Sequence, residues 1–300
     1  MNAQLIDGRK LQAKLVHETR EVLSKSGVVP RAALIGIGNS VLMQHNLQLH
    51  TKVFRQAGIE TTSVNLKETD DLAKMVKSIE NLNGDPEIDV ILALAPTPEQ
   101  VPLSTIINAI SSAKEAEGLK PEYTAQLSPF AEGFPRRLPL TPLTLFALLK
   151  ENGLELQGSE LVMLSDEYVL QTNPVAKLAV RYGLLPAAPE KMSVQLVPYG
   201  HPRQQEMCRN ADILLISLNE ARVVTGDWVK PGAYCIDFNS IPVEDQFGRV
   251  TIAGGMATDS VSQVAGAIAP IPGGFGPALL GMLVRRIAEI KLENVESMKP

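Results

Sequence analysis

The histidines of this chain and the polar residues near them are where chemistry is first sought. There are four histidines, His17, His45, His50 and His201. His45 and His50 lie five apart on a segment of helical periodicity, so their side chains diverge by about 140°. A shared metal wants a separation of three or four, so no metal centre is expected. No nucleophile-elbow sequence is present, and spacing alone leaves a Ser-His-acid arrangement open. On the segment 40–57, Leu42, Leu49, Val53 and Ala57 mark an inward stripe. Asn46 falls on that stripe, and His50 follows one turn later at its edge. A polar residue there is either satisfied in the core or faces a pocket.

Two glycine-containing stretches invite a ligand reading. Gly36-Ile37-Gly38-Asn39-Ser40-Val41 sits where a strand gives way to a helix, the setting of a dinucleotide fingerprint. The third glycine is missing, and the next strand ends at Asn65-Leu66 without an acid for a ribose. A tight strand-to-helix turn is the better reading. Pro270-Ile271-Pro272-Gly273-Gly274-Phe275-Gly276-Pro277 precedes the last helix. Its glycines permit close backbone approach, and the helix amides beside them favour an anion or a polar ring. A ligand cleft is preferred here to a turn made only for packing.

The elements that must position these residues alternate. Helices are predicted at 8–26, 40–57, 70–81, 174–182 and 274–291, and strands at 32–36, 61–66, 89–94, 161–164, 193–197, 212–216 and 234–236. The alternation predicts βαβ units and parallel sheets. Residues 121–142 carry five prolines and read as a surface connection. Thr141 then reads as the N-cap of a helix, with Pro142 at its first position. At 300 residues and 45% hydrophobic, the chain is long enough for two domains. A net charge of -5 argues against a nucleic-acid binder. Two cysteines, Cys208 and Cys235, make neither a disulfide framework nor a zinc cluster. No signal peptide is read, and no apolar run reaches the roughly 20 residues of a membrane span. A cytoplasmic protein is expected.

Several motifs together resemble the bifunctional methylenetetrahydrofolate dehydrogenase/cyclohydrolase family over almost the whole chain. Leu5-Ile6-Asp7-Gly8-Arg9 is similar to its Leu-Ile-Asp-Gly-Lys. Gly226-Asp227-Trp228-Val229-Lys230-Pro231-Gly232-Ala233, followed by Ile236-Asp237, is nearly the family's own run. Residues 270–277 resemble its Pro-Val-Pro-Gly-Gly-Val-Gly-Pro, and Pro139-Leu140-Thr141-Pro142 its Pro-Cys-Thr-Pro. The resemblance implies an α/β protein with two domains around a cleft. Residues 1–147 plus 272–300 would form the folate-site domain, with Pro272, Gly273 and Gly274 against the substrate. Residues 148–271 would form a Rossmann-type, doubly wound domain for NAD or NADP. A homodimer is also implied.

The resemblance further implies where chemistry has changed. The family's catalytic Lys falls on His50, the Tyr that holds it on Asn46, and the Gln from the neighbouring strand end on Leu94. The folate-anchoring Asp is Glu117. The dinucleotide loop Gly-Arg-Ser-x-x-Val-Gly becomes Ser165-Asp166-Glu167-Tyr168-Val169-Leu170-Gln171, with both glycines lost and acids where a phosphate would lie. The cofactor-side Val-Gly-Lys-Pro becomes Leu218-Asn219-Glu220-Ala221, and Asp-Val-Gly-Ile-Asn becomes Asp237-Phe238-Asn239-Ser240-Ile241. These changes predict loss of the parent reaction and of NADP binding, with no cofactor and a folate-like small molecule or an interaction role remaining. The alternative is an active one-carbon enzyme that uses His50 as general base in place of the Lys.

Overall fold

The computed structural model describes residues 3–95, 97–98, 100–120, 122–123, 137–166, 191–244 and 248–297. The helix expected at 174–182 and Glu167 lie outside the described residues. In chain order the elements are β1 (Gln4–Leu5), α1 (Gly8–Ser26), β2 (Arg31–Ile37), α2 (Val41–Ala57), β3 (Glu60–Leu66), α3 (Leu72–Gly84), β4 (Val90–Ala93) and α4 (Leu103–Ala109). There follow α5 (Leu140–Glu151), β5 (Glu160–Ser165), β6 (Ser193–Pro198), α6 (Gln204–Asn210), β7 (Ile213–Ser217) and β8 (Tyr234–Asp237). The remainder is β9 (Ile241–Glu244), β10 (Val250–Ala253), α7 (Thr258–Val261), β11 (Ala267–Ala269) and α8 (Phe275–Ser297).

The chain divides into two units. One comprises Met1–Gln12 and Thr141–Leu279, the other Ala13–Leu140 and Leu280–Pro300. The first unit holds a six-stranded sheet of order β1-β11-β8-β7-β5-β6, parallel throughout. Every residue of β7 is buried, as a strand covered on both faces must be. The order β6-β5-β7 reverses the direction of winding between β5 and β7, which makes the sheet doubly wound. The joints differ from the expected 147/148 and 271/272. The opening residues fall in this unit because β1 pairs with β11, Gln4 opposite Ala267.

The second unit is built on the parallel sheet β3-β2-β4. Gly36 of β2 has no side chain because α2 packs there. A Cβ would stand 2.9 Å from Leu47 Cδ1. Gly38 turns the chain with φ +81, and a Cβ on it would meet the Glu68 carboxylate. Both glycines are thus explained by the turn and its packing. Ser40 caps α2 by accepting from Met43 N–H, and Gly58 ends it in the left-handed region. The helix expected to open at Pro142 starts two residues earlier, at Leu140. Thr141 is not its N-cap, because Leu140 is already helical and its N–H donates to Glu117 O. No helix among the described residues is long and apolar enough to cross a membrane.

Candidate functional site

On α2 the buried stripe differs from the expected one. The buried residues are Met43, Leu47, Val53, Phe54 and Ala57. Met43, Leu47, Phe54 and Ala57 are spaced four, seven and three apart, and His50 fills the gap in that register. By helical register His50 falls on that stripe and Asn46 toward its flank, both half-buried. Leu42 and Leu49 are only half-buried. Apolar type alone gave the wrong phase by less than one turn.

The side chains then settle one another. Asn46 Nδ2 donates to Ala95 O at 2.9 Å, which ties α2 to the chain leaving β4. His50 Nδ1 lies 2.7 Å from Asn46 O. A carbonyl only accepts, so Nδ1 carries the proton and Nε2 keeps its lone pair. No hydrogen-bond partner of Nε2 is found among the described residues. The ring stands edge-on to Phe54, centroids 5.8 Å apart. Burial pushes the imidazole down to about 4, only partly offset by the bond to Asn46. His50 is thus neutral near pH 7 and able to accept a proton. Leu94 is buried, its N–H donates to Ile35 O, and its side chain offers no hydrogen bond. It cannot do the work of an amide at that place.

Glu117 stands on a turn that is tightly built. Glu115 is 2% exposed, and its carboxylate accepts from the N–H groups of Glu117, Gly118 and Leu119. Gly118 is left-handed, and a Cβ would lie 2.7 Å from the Pro139 backbone. Arg137 donates to Glu115 O, and Arg286 to Ala116 O. Burial, and then the charge of Glu115, push Glu117 up to about 8. The Glu117 side chain is therefore protonated at neutrality. Sequence reasoning missed Glu115, Arg137 and Arg286, because residue type alone does not show which charged side chains meet backbone groups brought from elsewhere in the chain.

The Pro-Gly turn lies in the other unit, as Pro272 and Gly273 belong with β1 and β11. Gly274 is buried against its own chain rather than free for a ligand. A Cβ on it would stand 2.8 Å from Ala269. A Cβ on Gly8 would come within 1.8 Å of Gly274 O, and Gly8 N–H donates to Gly273 O. Close packing accounts for the absence of a side chain at Gly8 and at Gly274. Pro272 remains exposed, and Gly273 half-buried at φ +121 beneath the Arg9 guanidinium.

In the same unit, Ser165 ends β5 fully buried, with Oγ donating to Ser217 O at 3.2 Å. Asp166 Oδ2 accepts from Asn219 N–H at 2.5 Å. Asn239 Nδ2 donates to Leu218 O at 2.9 Å. Asp237 is 1% exposed and accepts from Gly255 and Met256 N–H, both at 3.0 Å. Phe238 leans on Phe275, centroids 4.2 Å apart.

A doubly wound parallel sheet of this order is the architecture of dinucleotide-binding domains and their descendants. The chain belongs to the tetrahydrofolate dehydrogenase/cyclohydrolase family. Its residues 6–117 match the family's catalytic domain and 139–295 its NAD(P)-binding domain. The bifunctional protein FolD of Pelobacter propionicus is 31% identical over 296 residues, covering 96% of this chain and 97% of that one. The FolD of Brucella anthropi is 31% identical over 309 residues, 99% of each. The methylenetetrahydrofolate dehydrogenase-cyclohydrolase of Trypanosoma brucei, solved with NADP and an inhibitor, superposes with a TM-score of 0.84. It is 26% identical, over 98% of this chain and 99% of that one.

Proposed function

We propose that this chain is a one-carbon enzyme acting on a tetrahydrofolate-type carrier, and that its reaction is hydrolysis of the methenyl form to the formyl form. Membership of the family and the names of its relatives support the carrier. The observation that carries the reaction is the bond from His50 Nδ1 to Asn46 O, which leaves a neutral Nε2 as acceptor.

A methenyl carrier is a cationic N–CH–N centre, and water adds at its carbon. Nε2 takes the proton that the attacking water loses. In the tetrahedral adduct the hydroxyl proton leaves and the C=O forms. One C–N bond breaks, and His50 returns its proton to the departing nitrogen. The net products are the formyl carrier and one proton released to solvent. Burial that holds His50 at about 4 keeps it neutral between turnovers and makes its cation costly, so the proton rests on it only while the adduct lasts. Glu117 offers a protonated carboxyl to the ring system. A homodimer and a cytoplasmic location are part of the same reading.

The test is the decay of methenyltetrahydrofolate absorbance with the purified full chain against buffer alone. A rate above the blank that His50→Ala removes is expected. A rate equal to the blank would sink the reading. Leu94 favours a second one, in which the parent reaction is lost and a folate-like ligand is still bound. Calorimetric binding of a stable folate analogue with no hydrolysis would select it.

A further inference from the structure

Doubly wound sheets take their ligands outside the carboxyl ends of the strands, where the strand order reverses. Here that place lies at the ends of β5 and β7, with β8 beside them. A dinucleotide held there draws on free main-chain groups, on close backbone approach, and on a field that tolerates phosphate. Each of these is countered by the chain's own residues.

The N–H of Asn219 lies two residues beyond β7, and the Asp166 carboxylate already accepts it at 2.5 Å. The carbonyl of Leu218, one residue earlier, is taken by Asn239 Nδ2. Residues 166, 219 and 239 are the positions where the family pattern carries an Arg and two glycines. The replacements have therefore not simply left gaps. They reach across the mouth from β5 and from β8, and bond to the end of β7 between them.

Charge acts in the same direction. Asp166 and Glu220 both stand beside the Tyr199 hydroxyl, which donates to Glu220 Oε2. Burial and these two carboxylates raise the phenol above its ordinary value. A pyrophosphate brought here would meet two carboxylates, and would have to displace a charge-assisted bond to reach the first amide.

We propose that the β5–β7–β8 crevice is closed to dinucleotides from within, Asp166 and Asn239 holding the main-chain groups of residues 218 and 219 that a dinucleotide would need. The fold of a dinucleotide domain is kept and its ligand is replaced by side chains. This deepens the hydrolytic reading without depending on it, because hydrolysis of a methenyl carrier consumes no dinucleotide. A protein that hydrolyses and also binds NADP refutes only the closed crevice; one that does neither refutes only the hydrolysis.

Two measurements on the full chain test the closure. Calorimetric titrations with NADP and with NAD should show no binding up to about millimolar ligand; micromolar binding of either overturns the proposal. Amide exchange followed by NMR reads the cap itself. Asn219 N–H should be protected, and Asp166→Ala should speed its exchange about tenfold or more, as loss of a bond to a charged acceptor implies. Leu215 within β7 should keep its rate. Asp166→Asn, which retains size and one acceptor, should fall between the two and guards against a variant that merely unfolds. An unchanged Asn219 rate in Asp166→Ala, or an acceleration shared with Leu215, overturns the cap.

Discussion

The face of α2 around His50 and the mouth of the six-stranded sheet have both exchanged the polar residues of the family pattern, with opposite results. On α2 the new side chains bond to main chain on one side only: Asn46 to Ala95 O, and His50 through Nδ1 to Asn46 O. No partner of Nε2 is found among the described residues. At the sheet mouth the new side chains bond inward, and Asp166 and Asn239 consume the groups on offer. Replacement of polar residues therefore does not in itself mean loss of function. What decides is whether a donor or acceptor is left over after internal bonds are made.

The sharpest break in that comparison would come at His50. His50→Ala should lower methenyl hydrolysis by about 10²–10⁴-fold, the contribution of a positioned general base. The same residue sets the acid limb of the pH profile. Since burial holds it at about 4, the acceptor stays unprotonated from neutrality down through 6.5. The rate should fall only as pH approaches about 4, and a limb at 6.5 would show an imidazole in open water. Next in size is Asp237, which satisfies two buried N–H groups. Asp237→Ala should cost about 2–4 kcal/mol in urea unfolding, because both donors are left orphaned.

Asn46→Ala should be milder, at about 1 kcal/mol of stability for the lost bond to Ala95. Hydrolysis should fall less than tenfold, because the His50 bond goes to the main-chain oxygen of residue 46, which alanine keeps. A loss as large as that of His50→Ala would assign the work to the amide instead. The smallest effect concerns Glu117. It is protonated below about 8 in the free protein. A folate analogue presenting N–H groups favours the carboxylate, so binding at pH 7 should release up to one proton. Calorimetry in two buffers of different ionisation enthalpy measures this, and Glu117→Gln should abolish it.

Much of the supersecondary structure was legible. The β2-α2-β3-α3-β4 succession follows from local periodicity, and Gly58 stands where a helix stop is needed. The phase of α2 was not legible, because Leu42 and Leu49 are apolar without being buried, and His50 is polar on the buried stripe. Nor were Glu115, whose carboxylate takes the amides of 117–119, and Arg137 and Arg286, which donate to backbone carbonyls between 113 and 138. The site positions at 46, 50, 94 and 117 came from motif resemblance, while their bonds required coordinates. The closure by Asn239 had no sequence signal beyond a missing glycine.

The pairing of β1 with β11 has a kinetic consequence. β1 is translated almost a whole chain length before its only partner. The Gly8–Gly273 bond, which anchors the start of α1, waits for the same event. The outer edge of the sheet must then be the last to zip, through a contact of very high sequence separation. Until β11 emerges, the edge of β8 stands open to strangers, so crowded or fast synthesis should yield more aggregate than slow synthesis of the same polypeptide.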